Sequence, residues 1–292
     1  MTVQLLHIAD LHFGGIADIR QIEALEHMIP DLRPDAVIVA GDLSQRARHG
    51  EFQRARAFAN AAAETAPVLV IPGNHDVQWW WRPFIPFAKD VLYRKFRRYF
   101  GADLTPTLTI PGGALLATAL TSHGVAWGSL TTGVRDIAVK GHLPKRDILR
   151  VQQLFAGADP ALARVLVVHH NVLRGDISQR MGLARWRQAH RRIVASGADV
   201  VLCGHDHQEG ADVLDGKVVV STAGTLTTRS RGGRPSSFNF VTIDPTAVHV
   251  TFFRWEAERG RFRASDTFAF ARGQGRVEGR EAGAVPAAQS QG

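Results

Sequence analysis

The chain has a single cysteine, Cys203, among its 292 residues, which excludes an internal disulfide and any cysteine-rich metal site. Cys203 sits in the apolar run "ADVVLCG", where a free thiol behaves as a small buried hydrophobe. Long apolar runs are also missing, and none reaches the roughly 18 to 20 residues that a membrane-spanning helix needs. The opening stretch "MTVQLLHIADLHFG" has no basic start and places His and Asp where a secretory leader needs apolar residues. A chain that begins at Met1 and acts in the cytoplasm is the expectation. What is present describes an ordinary globular protein, 45% apolar and 21% charged, long enough to bury a sizeable core. The formal charge of +8 favours anionic partners, whether phosphate esters, nucleic acid or acidic lipid, without choosing among them.

Short β-branched runs alternate with helical patterns, the rhythm of an α/β protein. Strands are expected at 3–9, 35–40, 67–71, 163–168 and 198–203, and helices at 18–29, 50–64 and 183–196. The strands are almost continuously apolar, as strands buried on both faces are. "TLTI", "ALLATAL" and "VAWGS" between 107 and 129, and "KVVVSTA", "SFNFVTI" and "AVHVTFFRW" between 217 and 255, are separated by Gly, Pro and Asp and read as hairpins or meanders. Two face-to-face sheets with helices outside accommodate both groups. Residues 1–271 read as one catalytic domain. From about 272 onward, Gly, Ala, Gln and charge without periodicity predict a disordered tail to 292.

Each apolar strand stops at a particular kind of residue: Asp10 and His12, then Asp42, then Asn74, His75 and Asp76, then His169 and His170, then His205, Asp206 and His207. Strand ends converge on one rim of an α/β sheet, where ligands usually sit. Carboxylates gathered in a partly desolvated pocket repel and are expensive to bury unless cations neutralise them. Nitrogen and oxygen donors without thiolate suit manganese, iron, zinc, nickel or magnesium, and imidazole argues against a purely magnesium or calcium site. The donors are too many for one tetrahedral ion, so two ions sharing Asp42 fit better. His205 and His207 point the same way in extended chain and can reach neighbouring ions. Taken singly, "DLH", "GDL" and "HH" are weak signals; the order of all five blocks, each at a strand end, is specific.

That order, "DLH" (10–12), "GD" (41–42), "GNHD" (73–76), "H" at 169 and "GHDH" (204–207), resembles the calcineurin-like metallophosphoesterase superfamily over roughly residues 3 to 220. The stretches "HIADLHFGG", "GDLSQRARHGEF" and "VVHHN" look most like the bacterial group of class III cyclic-nucleotide phosphodiesterases and glycerophosphodiesterases. The resemblance implies a four-layer α/β/β/α sandwich of two mixed sheets. It also implies one metal on Asp10, His12 and His207, a second on Asn74, His169 and His205, and Asp42 bridging the two. A metal-bridging hydroxide would attack phosphorus in line, and His75 would stand over the substrate and give a proton to the leaving oxygen. Where some relatives carry an Asp that can pair with this histidine, the chain has Gln45, which can orient an imidazole but cannot stabilise its cation by charge. Asp76, Asp206 and His170 read as supporting residues outside the ligand set, and His7 as a core residue.

After the GNHD turn, residues 79–100 hold six basic side chains (Arg82, Lys89, Arg94, Lys95, Arg97, Arg98) against Asp90, and nine of the chain's 23 aromatics. The near-helical spacing of Val91, Phe96 and Tyr99 predicts an amphipathic helix packed on the domain. Because the segment leaves the metal-binding turn directly, Trp79, Trp80 and Arg82 are candidate substrate contacts through stacking and phosphate binding. The same stretch suits peripheral contact with an anionic membrane. The function expected is metal-dependent hydrolysis of a small phosphodiester, such as a cyclic nucleotide. The alternatives are a lipid-linked pyrophosphate or phosphodiester hydrolase, then a DNA nuclease, then a non-catalytic metal-binding module. No stable nucleic-acid complex is expected, because residues 208–292 are short and strand-rich for a DNA-binding domain.

Overall fold

A computed structural model of the chain describes residues 1–78, 89–124, 139–272 and 280–282. The order is β1 (Val3–Ile8), α1 (Ile19–Leu32), β2 (Ala36–Ala40), α2 (His49–Ala63), β3 (Val68–Ile71), α3 (Lys89–Leu92), α4 (Arg94–Phe100), β4 (Thr107–Ile110), β5 (Ala114–Thr118) and α5 (Lys145–Ala156). It continues with β6 (Ala163–Val167), α6 (Trp186–Ala195), β7 (Val200–Cys203), β8 (Gly210–Leu214), β9 (Val218–Thr222), β10 (Ser237–Ile243), β11 (Ala247–Glu256), β12 (Arg261–Ala271) and β13 (Arg280–Ala282).

The strands form two mixed sheets, β13-β12-β11-β10-β1-β2-β3 and β4-β5-β6-β7-β9-β8. In the first, β1, β2 and β3 are parallel and the β10 to β13 side is antiparallel. In the second, β5, β6, β7 and β9 are parallel, and antiparallel β4 and β8 close the edges. Alternation along each strand sorts side chains into three cores. Leu5, Ile38, Leu116, Val165, Val200 and Val241 meet between the sheets. On the outer face of the first sheet, Leu6, Ile8, Val37 and Val39 pack under Ile22, Leu25, Phe52 and Phe58 of α1 and α2. Leu166, Val168, Val201 and Cys203 pack under Ile148, Val151, Phe155 and Ile193 of α5 and α6. The layers are therefore α/β/β/α, and each large apolar side chain so enclosed stabilises the fold by about 1.5–3 kcal/mol.

The strands expected at 3–9, 35–40, 67–71, 163–168 and 198–203 and the three expected helices are present with ends shifted by a few residues. Of the segments read as hairpins or meanders, β4 pairs with β5 and β10 with β11, whereas β9 runs parallel to β7 in the other sheet and β12, for which no strand was expected, extends the β10–β11 pair. "VAWGS" (125–129) lies outside the described residues. Within the stretch expected to be a disordered tail, residues 280–282 pair with β12, Asp266 opposite Ala282. The edge backbone of β12 supplies the hydrogen bonds, so this strand needs no side-chain periodicity of its own. The rest of the tail, 273–279 and 283–292, lies outside the described residues.

Candidate metal centre

β1, β2 and β3 end beside one another because they are parallel neighbours, and β6 and β7 end opposite them in the facing sheet. The chain then turns sharply. Asp10 (φ 56°), His12 (φ 45°), Asp42 (φ 54°), His205 (φ 75°) and His207 (φ 56°) all adopt left-handed backbone conformations, which cost a non-glycine residue of order 1–3 kcal/mol. The turns hold one another in this state. Asp10 N–H donates to the Gly41 carbonyl (3.0 Å), His12 N–H to the Asp42 carbonyl (2.9 Å) and Gly204 N–H to the His169 carbonyl (2.8 Å). Two glycines are required by close approach: a Cβ on Gly73 would stand 2.0 Å from Asp42 Oδ1, and one on Gly204 would stand 2.4 Å from the Ala9 Cβ.

Asp76 and Asp206 brace these turns. Asp76 accepts from Gly73 N–H (2.9 Å), Leu43 N–H (3.1 Å), Ser44 N–H (2.8 Å) and Ser44 Oγ (2.7 Å), so one carboxylate ties the GNHD turn to the GD turn. Asp206 accepts from Ser178 Oγ (2.9 Å) and pairs with Arg231 (3.4 Å). Thr225 Oγ1 donates to the Asp10 carbonyl (2.6 Å). Arg231 and Thr225 were not singled out from sequence; only the place of Thr225 after β9, at the same rim, could have flagged it.

The predicted donors come together. One donor atom each from Asp10, His12 and His207 lie within 4.8 Å of one another, as do those of Asp10, Asp42 and His169. Nε2 of His12 faces Nε2 of His207 at 2.9 Å, and His169 Nε2 is 3.4 Å from Asp42 Oδ2. Asn74 Oδ1 is 3.1 Å from His169 Nε2 and 3.0 Å from His205 Nδ1. His169 is oriented by its Nδ1, which donates to the Ala40 carbonyl (2.8 Å). His170 packs beside His205 with both ring nitrogens engaged, one by Thr121 Oγ1 (2.8 Å) and one by the Val139 carbonyl (3.1 Å), and it also offers a ring nitrogen within 4.8 Å of donor atoms of His169 and His205. His7 is fully buried between the sheets, its Nδ1 3.0 Å from Ser221 Oγ.

Burial sets the charge states. It pushes Asp10 well above the ordinary carboxylate range, against the pull of His169. Burial would raise Asp42 too, but the nearby charges of His169 and His75 outweigh it and hold Asp42 well below that range. Burial holds His12 and His205 well below the ordinary imidazole value and takes His207 down to about 4, so these rings are neutral, the form that ligates metal. Two features show what the cluster suits. Asp10 Oδ1 is buried without a hydrogen-bond partner among the described residues. Two imidazole nitrogens 2.9 Å apart also lie close to the spacing of donors sharing one ion, which roughly 2.1 Å bonds place about 3 Å apart at octahedral angles and about 3.4 Å apart at tetrahedral ones. The residues therefore fit metal ions.

His75 stands at the mouth of the cluster, its ring 4.7 Å from that of His12 and edge-on to it. Its N–H donates to Asp42 Oδ1 (2.8 Å), and its Nδ1 lies 2.9 Å from the Gln45 main-chain carbonyl. A carbonyl only accepts, so Nδ1 carries the hydrogen. The sequence suggested orientation by the Gln45 side chain, but the main chain does it, and any residue at 45 supplies that carbonyl. Trp79, Trp80 and Arg82 lie outside the described residues. Further along their segment, Phe96, Tyr99 and Phe100 pack against Phe52 of α2, the amphipathic packing expected. No helix among the described residues is long and apolar enough to cross a membrane.

Comparison with known proteins agrees with this architecture. The chain is 38% identical over 87 residues to the glycerophosphodiester phosphodiesterase GpdQ of Enterobacter lignolyticus, a stretch covering 25% of this chain and 29% of that protein. In overall fold it is similar to PhoD (TM-score 0.65, 12% identity, 96% of this chain and 72% of that one). It is likewise similar to a dimetal phosphatase from Danio rerio (TM-score 0.59, 14% identity, 90% and 98%). The model of the calcineurin-like phosphoesterase family matches residues 3–209, all five blocks included. The chain belongs to that family, and its Asp and His clusters could hold a metal ion.

Proposed function

We propose that the protein is a binuclear metal-dependent phosphodiesterase acting on a small phosphodiester, such as a cyclic nucleotide. The observation that carries this is the donor set: two buried carboxylates, an amide oxygen and four imidazoles converge at five strand ends, and Asp10 Oδ1 has no hydrogen-bond partner among the described residues. Asp10, His12 and His207 would hold one ion, Asn74, His169 and His205 the other, and Asp42 both. The ions would be manganese, iron, zinc or nickel, which this nitrogen and oxygen set suits. When bound they neutralise the carboxylates, polarise the phosphoryl oxygens and make water a competent nucleophile near neutral pH.

The chain's own residues supply the rest. Asp42 keeps its charge in the buried site and accepts the His75 N–H, which fixes the turn bearing that ring. His75 keeps one proton at Nδ1 on the Gln45 carbonyl, so Nε2 is the atom that exchanges a proton with the leaving oxygen. The likeness to a protein named a glycerophosphodiester phosphodiesterase supports a diester over a monoester. The test is turnover of bis(p-nitrophenyl) phosphate and cyclic AMP by purified protein with each metal, beside metal content by mass spectrometry. Two ions per chain and turnover are expected, and Asp42→Ala should lower kcat by about a thousandfold or more. Absence of turnover with all four metals, or full activity in Asp42→Ala, would sink the proposal.

A further inference from the structure

The start of α2 and the outer face of α4 carry Arg46, Arg48, Arg94, Lys95 and Arg98, and among the described residues no carboxylate forms an ion pair with any of them. Among the described residues the acidic side chain built into this ridge is Glu51, which is buried and accepts from the main-chain N–H groups of Arg46 (2.8 Å) and Arg48 (3.1 Å). The positive charges crowd one another. Lys95 is held below its ordinary value by burial and then by Arg94 and Arg48, with Glu51 opposing. His49 is lowered by desolvation and then by Lys95, Arg98 and Arg94. Positive charges that outnumber the one nearby counter-charge, Glu51, make a standing anion-attracting field.

The ridge is attached to the turn that bears His75. Gln45, whose carbonyl orients His75, is followed directly by Arg46. Ala47, at most about 7 Å further on, accepts a hydrogen bond from Lys95 Nζ (2.9 Å). With the Gln78 amide oriented to satisfy its neighbours, its oxygen accepts from the same Nζ (3.3 Å). Lys95 thus fastens α4 to both sides of the His75 turn. The aromatic side chains of α4 face Phe52, with Phe96 1% exposed, so what α4 turns outward is charge without an apolar anchor. A membrane surface is the poorer fit for such a face.

We infer that this ridge binds negative charge on the leaving side of the substrate, so that the preferred substrate is a phosphodiester whose departing alcohol carries at least one further phosphoryl group. This rests on the phosphodiesterase reading, because His75 gives the departing oxygen its proton and the departing group therefore lies on the His75 side.

The test uses the full chain and two probes, the dinucleotide TpT and the same dinucleotide with an added terminal phosphate at either end. Affinity is measured by calorimetry, and kcat/KM with manganese. One phosphorylated form should bind about tenfold more tightly than TpT at low ionic strength, with the advantage shrinking as salt screens it. Arg94→Glu/Arg98→Glu should abolish the advantage, and Arg94→Gln/Arg98→Gln should reduce it should the charge reversal unfold α4. Arg191→Glu on α6, with the same change in charge per site, should leave it intact. Equal affinity for all probes in the wild type, or an advantage that survives in the α4 variants, overturns the inference. So does Arg94- and Arg98-dependent binding to phosphatidylserine vesicles without any dinucleotide preference, which would assign the ridge to a membrane. Failure to hydrolyse bis(p-nitrophenyl) phosphate with any metal would instead count against the phosphodiesterase reading, and the binding comparison still decides the ridge.

Discussion

At the residue scale, His75 divides positioning from chemistry. Its Nδ1 is committed to the Gln45 carbonyl, so only Nε2 can act on a departing oxygen, and the benefit of a proton there depends on how poor the leaving group is. An alkoxide needs the proton, whereas p-nitrophenolate departs without it. His75→Ala should therefore lower kcat by about 10²- to 10⁴-fold for alkyl phosphodiesters and far less for bis(p-nitrophenyl) phosphate. Plotted against leaving-group pKa across a series of diesters, kcat should fall more steeply in the variant than in the wild type. A uniform loss across the series would mean that His75 serves the site through structure alone.

At the element scale, the site is a set of turns clamped to one another, and Asp76 is the clamp most exposed to test. Removing its carboxylate leaves Gly73 N–H, Leu43 N–H, Ser44 N–H and Ser44 Oγ without their acceptor. An unsatisfied buried donor costs about 1–3 kcal/mol. Asp76→Ala should lose about 3 kcal/mol or more of stability in denaturant unfolding and weaken metal uptake, although Asp76 touches no donor pocket directly. Asp76→Asn should fall between, because Oδ1 keeps its Ser44 bonds while an amide nitrogen would confront the Leu43 and Gly73 N–H groups. Wild-type stability in Asp76→Ala would show that the turns hold without it. The turns also mark the limit of what the sequence discloses. Strand ends bearing Asp10, Asp42, Asn74, His169 and His205 were legible because buried parallel strands are continuous apolar runs that stop at the rim. Strand β8 was not, since Leu214 alone of its five residues is buried and an edge strand shows no alternation. Strand β12 is half-buried along most of its length, which blurs the same signal. The Asp206–Arg231 pair and the Thr225 brace join residues far apart in the chain, and no local pattern announces such a pairing.

At the scale of the whole molecule, the donor set straddles the two sheets. Asp10, His12, Asp42 and Asn74 follow β1, β2 and β3 of one sheet, and His169, His205 and His207 follow β6 and β7 of the other. Ions held in common would cross-link the layers at the rim, where the apolar core gives way to buried charge. Those carboxylates and strained backbones are costly to keep without a cation, so folding and metal binding should be thermodynamically linked. For one ion present at a hundred times its dissociation constant, the linkage amounts to about 2.7 kcal/mol. Unfolding entropy grows with chain length, so for a domain of this size that is a shift of about 5 °C in Tm. Dialysis against a chelator should lower Tm by at least this much, and excess manganese should restore it. Asp42→Ala should melt at one temperature with or without manganese. A wild-type Tm indifferent to both chelator and manganese would mean that the cluster folds as stably empty as filled, and the unpartnered Asp10 oxygen would then have to be accommodated by water.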